Sequence, residues 1–250
     1  MSSRLLVASL VMVLLIGSAA APAPADIPVM TYTLAGSDAF AIAARHVESI
    51  ITYTGIERLA RHSAPGSTNF NATVTYEKND GTGLTRRHAE FALAMAPDGT
   101  VTSQHDGDPD YLTILNQPFS VQLDAPTMRD LHGLSQSVPF DFPSPMTGAP
   151  LHGTLRRLLD GTLNGDRVLG IAFSAQGPLE GTLPDRPSIP LSGTITMNGT
   201  AYYAYTNALL LALDATLLIE GKVGTPGAND AVTITYKRTI RPIAAESRGR

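Results

Sequence analysis

Cysteine is absent from the 250 residues. That absence removes disulfides, thiolate metal sites, a cysteine nucleophile and a lipid-bearing N-terminal cysteine together. Tryptophan is absent too. Charge is sparse at 16% of residues, and 18 Lys+Arg stand against 22 Asp+Glu with no run of like sign. Nucleic acid is thereby disfavoured, because its phosphates call for a clustered basic face. Beyond the N-terminus no stretch is long and apolar enough to span a bilayer as a helix. The mature chain is therefore expected to be soluble.

The templates of common catalysis are missing as well. There is no G-x-S-x-G elbow, no H-E-x-x-H, no phosphate-cradling G-x-x-x-x-G-K and no G-x-G-x-x-G. The nearest approach to an elbow, Gly133-Leu134-Ser135-Gln136-Ser137, lacks its second glycine. His46, His62, His88, His105, His132 and His152 are scattered without metal-ligand spacing. No catalytic residue, cofactor or metal ligand is assigned. A hydrolase would need a triad assembled in space from one of these histidines and distant Ser and Asp residues. The acidic loop Gln104 to Asp110 has alternate aspartates that suit Ca²⁺. Counted from Asp106, however, Tyr111 and Gln117 stand where an EF-hand needs Gly and Glu. Aspartates at a helix N-terminus explain the loop more simply.

What is present is β structure. Phe70, Ala72, Val74 and Tyr76 alternate with Asn71, Thr73, Thr75 and Glu77. After the turn Asn79 to Gly83, Ala89, Phe91 and Leu93 share one face. Ile195, Met197, Ala201, Tyr203 and Tyr205 repeat the pattern, as do Val232, Ile234 and Tyr236. A period of two in branched and aromatic residues marks half-buried strands. Strands are also expected at 100–104, 151–159 and 168–175. Leu209 to Glu220 is apolar on both faces, hence a central strand or a buried helix, and its alternating neighbours favour the strand. Asp38 to Tyr53 is open between a capped helix and a strand, with strand favoured from Ile50 and a bulge or turn at Gly55.

Two short helices are expected to interrupt the sheet. In DPDYLTILNQP, Asp108 can cap, Pro109 suits the first position, and Tyr111, Ile114 and Leu115 form an apolar face. In LDAPTMRDLHG, Asp124 can cap, while Met128 and Leu131 face inward and Gly133 ends the helix. A short strand, 119–123, lies between them. The four prolines of residues 138–150 predict an extended strap, and 177–190 reads as a Pro-rich loop. Phe140, Phe142 and Met146 on the strap either gate an apolar cavity or simply anchor it.

At the N-terminus, Arg4, the apolar run Leu5 to Ile16 and the small residues Gly17 to Ala25 form the pattern of a secretory signal peptide, with cleavage after Ala25 or Ala20. The expected organisation is a signal peptide at 1–25, one β-rich domain at 26–243 and a flexible tail at 244–250.

A signal peptide followed by long antiparallel meanders interrupted by two short helices resembles the periplasmic lipoprotein-carrier half-barrel proteins. In those a curved sheet wraps helices and leaves an apolar cavity for acyl chains. The phrases DPDYLTILNQPF and MNGTAYYAYTNALLLALDATL are similar to an uncharacterised group of exported bacterial β-rich proteins, which implies no activity. The expected fold is mainly β, a curved antiparallel sheet of half-barrel or barrel-like form, of about eight to ten strands with a few short helices. The function it implies is exported, non-enzymatic binding of a lipid-like ligand at Tyr111, Ile114, Leu115, Met128, Leu131, Phe140, Phe142 and Met146. The alternative is a structural or protein-interaction module of the cell surface, with a secreted hydrolase behind it.

Overall fold

The computed structural model describes residues 27–96, 101–116, 133, 137–142, 150–163, 165–183, 186–205, 209–225 and 228–243. The expected signal peptide and tail, the strand expected at 119–123, most of the second expected helix and Met146 lie outside them.

Alternation becomes a single curved antiparallel sheet of twelve strands that does not close into a barrel. The strands are β1 Ile27–Ile42, β2 Val47–Ala64, β3 Ser67–Asn79, β4 Leu84–Met95, β5 Val101–Asp106 and β6 Val138–Phe142. They continue with β7 Leu151–Arg157, β8 Gly161–Leu163, β9 Asp166–Leu183, β10 Arg186–Ala204, β11 Leu210–Thr225 and β12 Ala228–Pro242. Their spatial order is β5-β4-β3-β2-β1-β12-β11-β10-β9-β7-β6, with β8 paired to β9. The first described strand, β1, thus lies in the middle of the sheet. One meander grows outward from β1 and the other returns to β12, which pairs with β1 from Tyr32↔Pro242 to Ala41↔Thr233.

Because side chains alternate across a strand, each strand gives one parity to the concave face. On β1 this parity carries Tyr32, Leu34, Asp38 and Phe40, and on β3 Phe70, Ala72, Val74, Tyr76 and Lys78. On β12 it carries Val232, Ile234, Tyr236, Arg238 and Ile240. The buried core is built from these rows. The opposite face is rich in threonine and mostly exposed.

Several expectations change. Asp38 to Tyr53 is strand on both sides of a 3₁₀ turn, Ala43–Arg45, so the capped helix does not form. Gly55 is neither bulge nor turn but lies inside β2, paired with Tyr76. Leu209 to Glu220 does enter the sheet, as β11. The Pro-rich stretch 177–190 is not a loop, since β9 and β10 run through most of it. Proline is tolerated there because a neighbour is missing: β7 pairs with β9 only from Ile171 to Gln176, and Pro178 lies past that end. Pro190 lies just before Leu191, where β10 first pairs with β11. Of the strap, Val138–Phe142 is an edge strand against β7, where Pro139 is compatible with one-sided pairing.

The helix expected from Asp108 also fails to form. Asp108 caps, but its Oδ2 accepts from the amides of Leu112 (2.5 Å) and Thr113 (2.6 Å), four and five residues on. Tyr111 takes a left-handed φ of 51°, which interrupts any helix. Only Ile114–Asn116 winds, as one 3₁₀ turn. Among the described residues no helix is long and apolar enough to cross a membrane.

Candidate ligand-binding site

The segment Asp108 to Asn116 divides the concave face. On one side Leu112, Ile114 and Leu115 are buried with Leu59, Phe70 and Val74 and fill the curve of the sheet. On the other side the described residues line an open cleft of about 1120 Å³. Its apolar walls come from Phe40 on β1, Ile51 on β2, Leu217 on β11 and Ile234 with Tyr236 on β12.

A compact ionic cluster forms the floor. Arg238 is buried and reaches Asp38 Oδ1 at 2.6 Å through Nη1. Its Nη2 donates to the Asp110 carbonyl at 3.0 Å, and its Nε points to the Tyr111 carbonyl at 3.4 Å. The guanidinium therefore ties β1 and β12 to the dividing segment. Asp110 accepts from Tyr76 Oη at 2.5 Å and from Lys78 Nζ at 2.6 Å. Tyr53 Oη donates to Asp38 Oδ2 at 2.9 Å, and its ring lies beneath both Arg238 and Lys78. Two carboxylates thus face two cations, and the floor is formally neutral.

Two glycines make room for this cluster. A Cβ on Gly36 would stand 3.0 Å from Arg238 Cδ, its cross-strand partner. A Cβ on Gly55 would stand 2.6 Å from Tyr76 Cβ.

Electrostatics follow from burial and partners. Burial opposes ionisation of Asp110, but hydrogen bonds from Lys78, Tyr76 and Tyr53 outweigh it and hold the carboxyl below its ordinary value. Tyr53 and Tyr76 are pushed up by burial and then by their carboxylate partners, so both stay phenols at neutral pH. Behind the floor, fully buried Glu57 accepts the Ile114 amide at 2.8 Å. Burial drives its pKa up to about 8 against that hydrogen bond, with Asp108 adding to the rise.

At the mouth, the 3₁₀ turn between β1 and β2 carries Arg45, whose Nε contacts Asp230 Oδ2 at 2.5 Å. The Arg45 side chain remains 64% exposed. The cleft has an apolar wall, an internally neutralised floor and a rim where a largely exposed Arg45 is paired with Asp230.

Of the described residues expected to hold a ligand, the structure brings only Tyr111 to this cleft. Ile114 and Leu115 instead pack in the filled end. Phe142 is buried against Phe173 at 6.4 Å between ring centroids and anchors the edge strand away from the cleft, while the exposed Phe140 ring lies tilted beside it at 4.6 Å. Met128, Leu131 and Met146 lie outside the described residues. Asp38, Lys78, Arg45, Phe40, Ile51, Leu217, Ile234, Tyr236 and Arg238 were not singled out as site residues. Their signal was parity: Lys78 and Arg238 continue apolar alternations without changing phase.

The acidic loop makes mostly protein contacts, with buried Asp108 Oδ1 left without a hydrogen-bond partner among the described residues. Asp106 accepts the Asp108 amide and Asn116 Nδ2, while Asp108 and Asp110 are engaged as described. Among the described residues no group of three or more His or acidic side chains is placed to hold a metal. The triad-like order Thr75 Oγ1, His88 and Glu90, at 3.3 and 3.4 Å, lies on an exposed strand pair outside the cleft. His152 pairs with Asp141 at 2.7 Å with both side chains largely exposed.

No family model and no curated protein matches the chain. Among solved structures it is similar to a chain described for lipid–protein interactions in lipovitellin, with a TM-score of 0.39 and 10% identity. That alignment covers 89% of this chain but spans only 26% of the lipovitellin chain. A DUF1329 family protein from Desulfovibrio piger aligns over 87% of both chains, with a TM-score of 0.19 and 9% identity. Likenesses this distant carry no argument about function, which rests on the geometry of the cleft.

Proposed function

We propose that the protein binds a lipid-like ligand non-covalently and acts as an exported binding protein, in the periplasm or outside the cell. The observation that carries this reading is the unequal filling of one concave face. Where Leu112, Ile114 and Leu115 dock, the sheet is packed; beyond Tyr111 an apolar wall of the same sheet faces about 1120 Å³ of open cleft. Leaving apolar surface in water costs about 25 cal/mol per Å², and contiguous apolar concavities mark ligand sites. The size lies just above the usual range for small-molecule pockets, which suits a chain better than a compact metabolite.

The floor supports the same ligand class. Every ion there already has an opposite partner, so the cluster terminates the apolar space and carries no surplus charge to hold a buried ionic ligand. A hydrocarbon tail enters such a space by displacing water and leaves its polar end at the mouth.

Displacement of a fluorescent fatty acid by saturated fatty acids of increasing length tests the reading. Affinity should rise about fourfold per added methylene, the equivalent of about 0.8 kcal/mol, until the cleft is full. Absence of uptake at any length would sink it.

A further inference from the structure

Resting on that binding role, we infer that the ligand carries an anionic head group and that Arg45 holds it at the mouth of the cleft. The cleft offers two cationic regions, and they are not equivalent. At the floor, Arg238 directs its guanidinium nitrogens to Asp38 and to the carbonyls of Asp110 and Tyr111. Lys78 is paired with Asp110 at 2.6 Å. An anionic head group driven to the floor would be a third carboxylate or phosphate beside Asp38 and Asp110, facing the same two cations. It would also be stripped of water, and a buried charge without its own partner is strongly disfavoured.

The mouth is different. Arg45 ends the 3₁₀ turn Ala43–Arg45, which His46 closes by donating its backbone N–H to the Ala43 carbonyl at 3.2 Å from a left-handed φ of 52°. From there the side chain contacts Asp230 on β12, the strand paired with β1, through Nε. A guanidinium has five N–H donors, four of them on the two terminal nitrogens. The contact to Asp230 is made through Nε, and 64% of the side chain is exposed. Asp230 steadies the guanidinium and leaves its fork available. A carboxylate or phosphate monoester at the mouth can take that fork while its chain lies along Phe40, Ile51 and Ile234. A cationic head group would meet Arg45 first.

The test uses the full chain and dodecyl ligands that differ only at the head: dodecanoate, dodecyl phosphate, dodecanol and dodecyltrimethylammonium. They are titrated against wild type, Arg45→Gln and Asp230→Asn, with thermal melting to confirm that each variant folds. Wild type should bind the two anions about fivefold more tightly than the alcohol, the size a partly exposed charge contact supports. The cation should bind least well. Arg45→Gln should abolish the preference while leaving the alcohol's affinity unchanged. Asp230→Asn should act in the opposite sense and tighten both anions, because it removes a competing carboxylate. The ratio of dodecanoate to dodecyl phosphate then distinguishes a fatty-acid from a phosphate-headed lipid. Equal affinity for all four ligands would overturn the inference and leave the binding role standing. So would loss of anion affinity in Asp230→Asn, since the rim pair would then be only a structural staple. Failure of every ligand to bind would remove both.

Discussion

Both carboxylate oxygens of Glu57 lie 2.8 Å from the backbone nitrogen of Ile114, so a fully buried acid on β2 anchors the segment that divides the concave face. The contact links the filled end of the sheet to the floor of the cleft, because Asp110 and Tyr111 belong to the same segment.

This burial makes stability depend on pH. The Glu57 pKa stands at about 8 in the folded protein, raised by desolvation, against an ordinary value of 4.5. Between these values the folded state holds a proton that the unfolded chain has lost. Stability is therefore fully present below the lower value and declines as pH rises towards 8, by at most about 1.4 kcal/mol per pH unit. Asp108, also raised by burial, acts in the same direction. Urea unfolding across this range should show the decline, and Glu57→Gln should flatten it. An unchanged slope in the variant would assign the effect elsewhere.

Arg238 should matter more than its ionic partner. Arg238→Leu leaves Asp38 facing Tyr53 alone and releases the carbonyls of Asp110 and Tyr111, at a cost of about 3 kcal/mol or more. Asp38→Leu removes one partner of the guanidinium but leaves its contacts to the carbonyls of Ser37, Asp110, Tyr111 and Lys237, and should cost less. The double variant should fall short of the sum, with a coupling of about 1–3 kcal/mol. Hydrogen exchange localises the loss: the Leu112 and Ile114 amides should open in Arg238→Leu while those of β9 and β10 stay protected. Uniform loss of protection would contradict the local role.

Gly36 provides a steric check on the same contact. Alanine there places a Cβ 2.8 Å from the Lys237 carbonyl oxygen and 3.0 Å from Arg238 Cδ. The floor must shift to accept it, at about 1–3 kcal/mol. Gly83→Ala meets nothing within 4 Å and should stay within about 0.5 kcal/mol of wild type. Chemical denaturation of the two variants separates crowding at the floor from a general intolerance of alanine for glycine.

Much of the sheet was legible because alternation and burial coincide. Phe70 to Tyr76 and Val232 to Tyr236 announce both the strand and its inward face. Leu209 to Glu220 was harder: its inward row, Leu213, Leu217 and Ile219, is buried, a register shift sets buried Leu210 opposite Tyr203, and Ala212 on the other face is buried too. The prolines misled because Pro178 and Pro190 sit where pairing is one-sided, a condition that depends on the length of a neighbouring strand. Asp108 to Asn116 carried every local sign of a helix start, yet Glu57 and Arg238, distant in sequence, claim its backbone. The site was missed for a related reason. Lys78 and Arg238 sit in phase with apolar residues, but only the strand order shows that their rows converge with Asp38 and Asp110.

The most direct measurement is native mass spectrometry of the protein produced with its N-terminal segment intact, followed by solvent extraction, alongside Leu217→Trp. Leu217 forms part of the cleft wall, and the larger ring should occupy the space a chain would fill. The account predicts a stoichiometric extra mass on the wild type that extracts as an anionic lipid, and its loss from a folded Leu217→Trp. A wild type that carries no such mass and takes up no added fatty acid would contradict it.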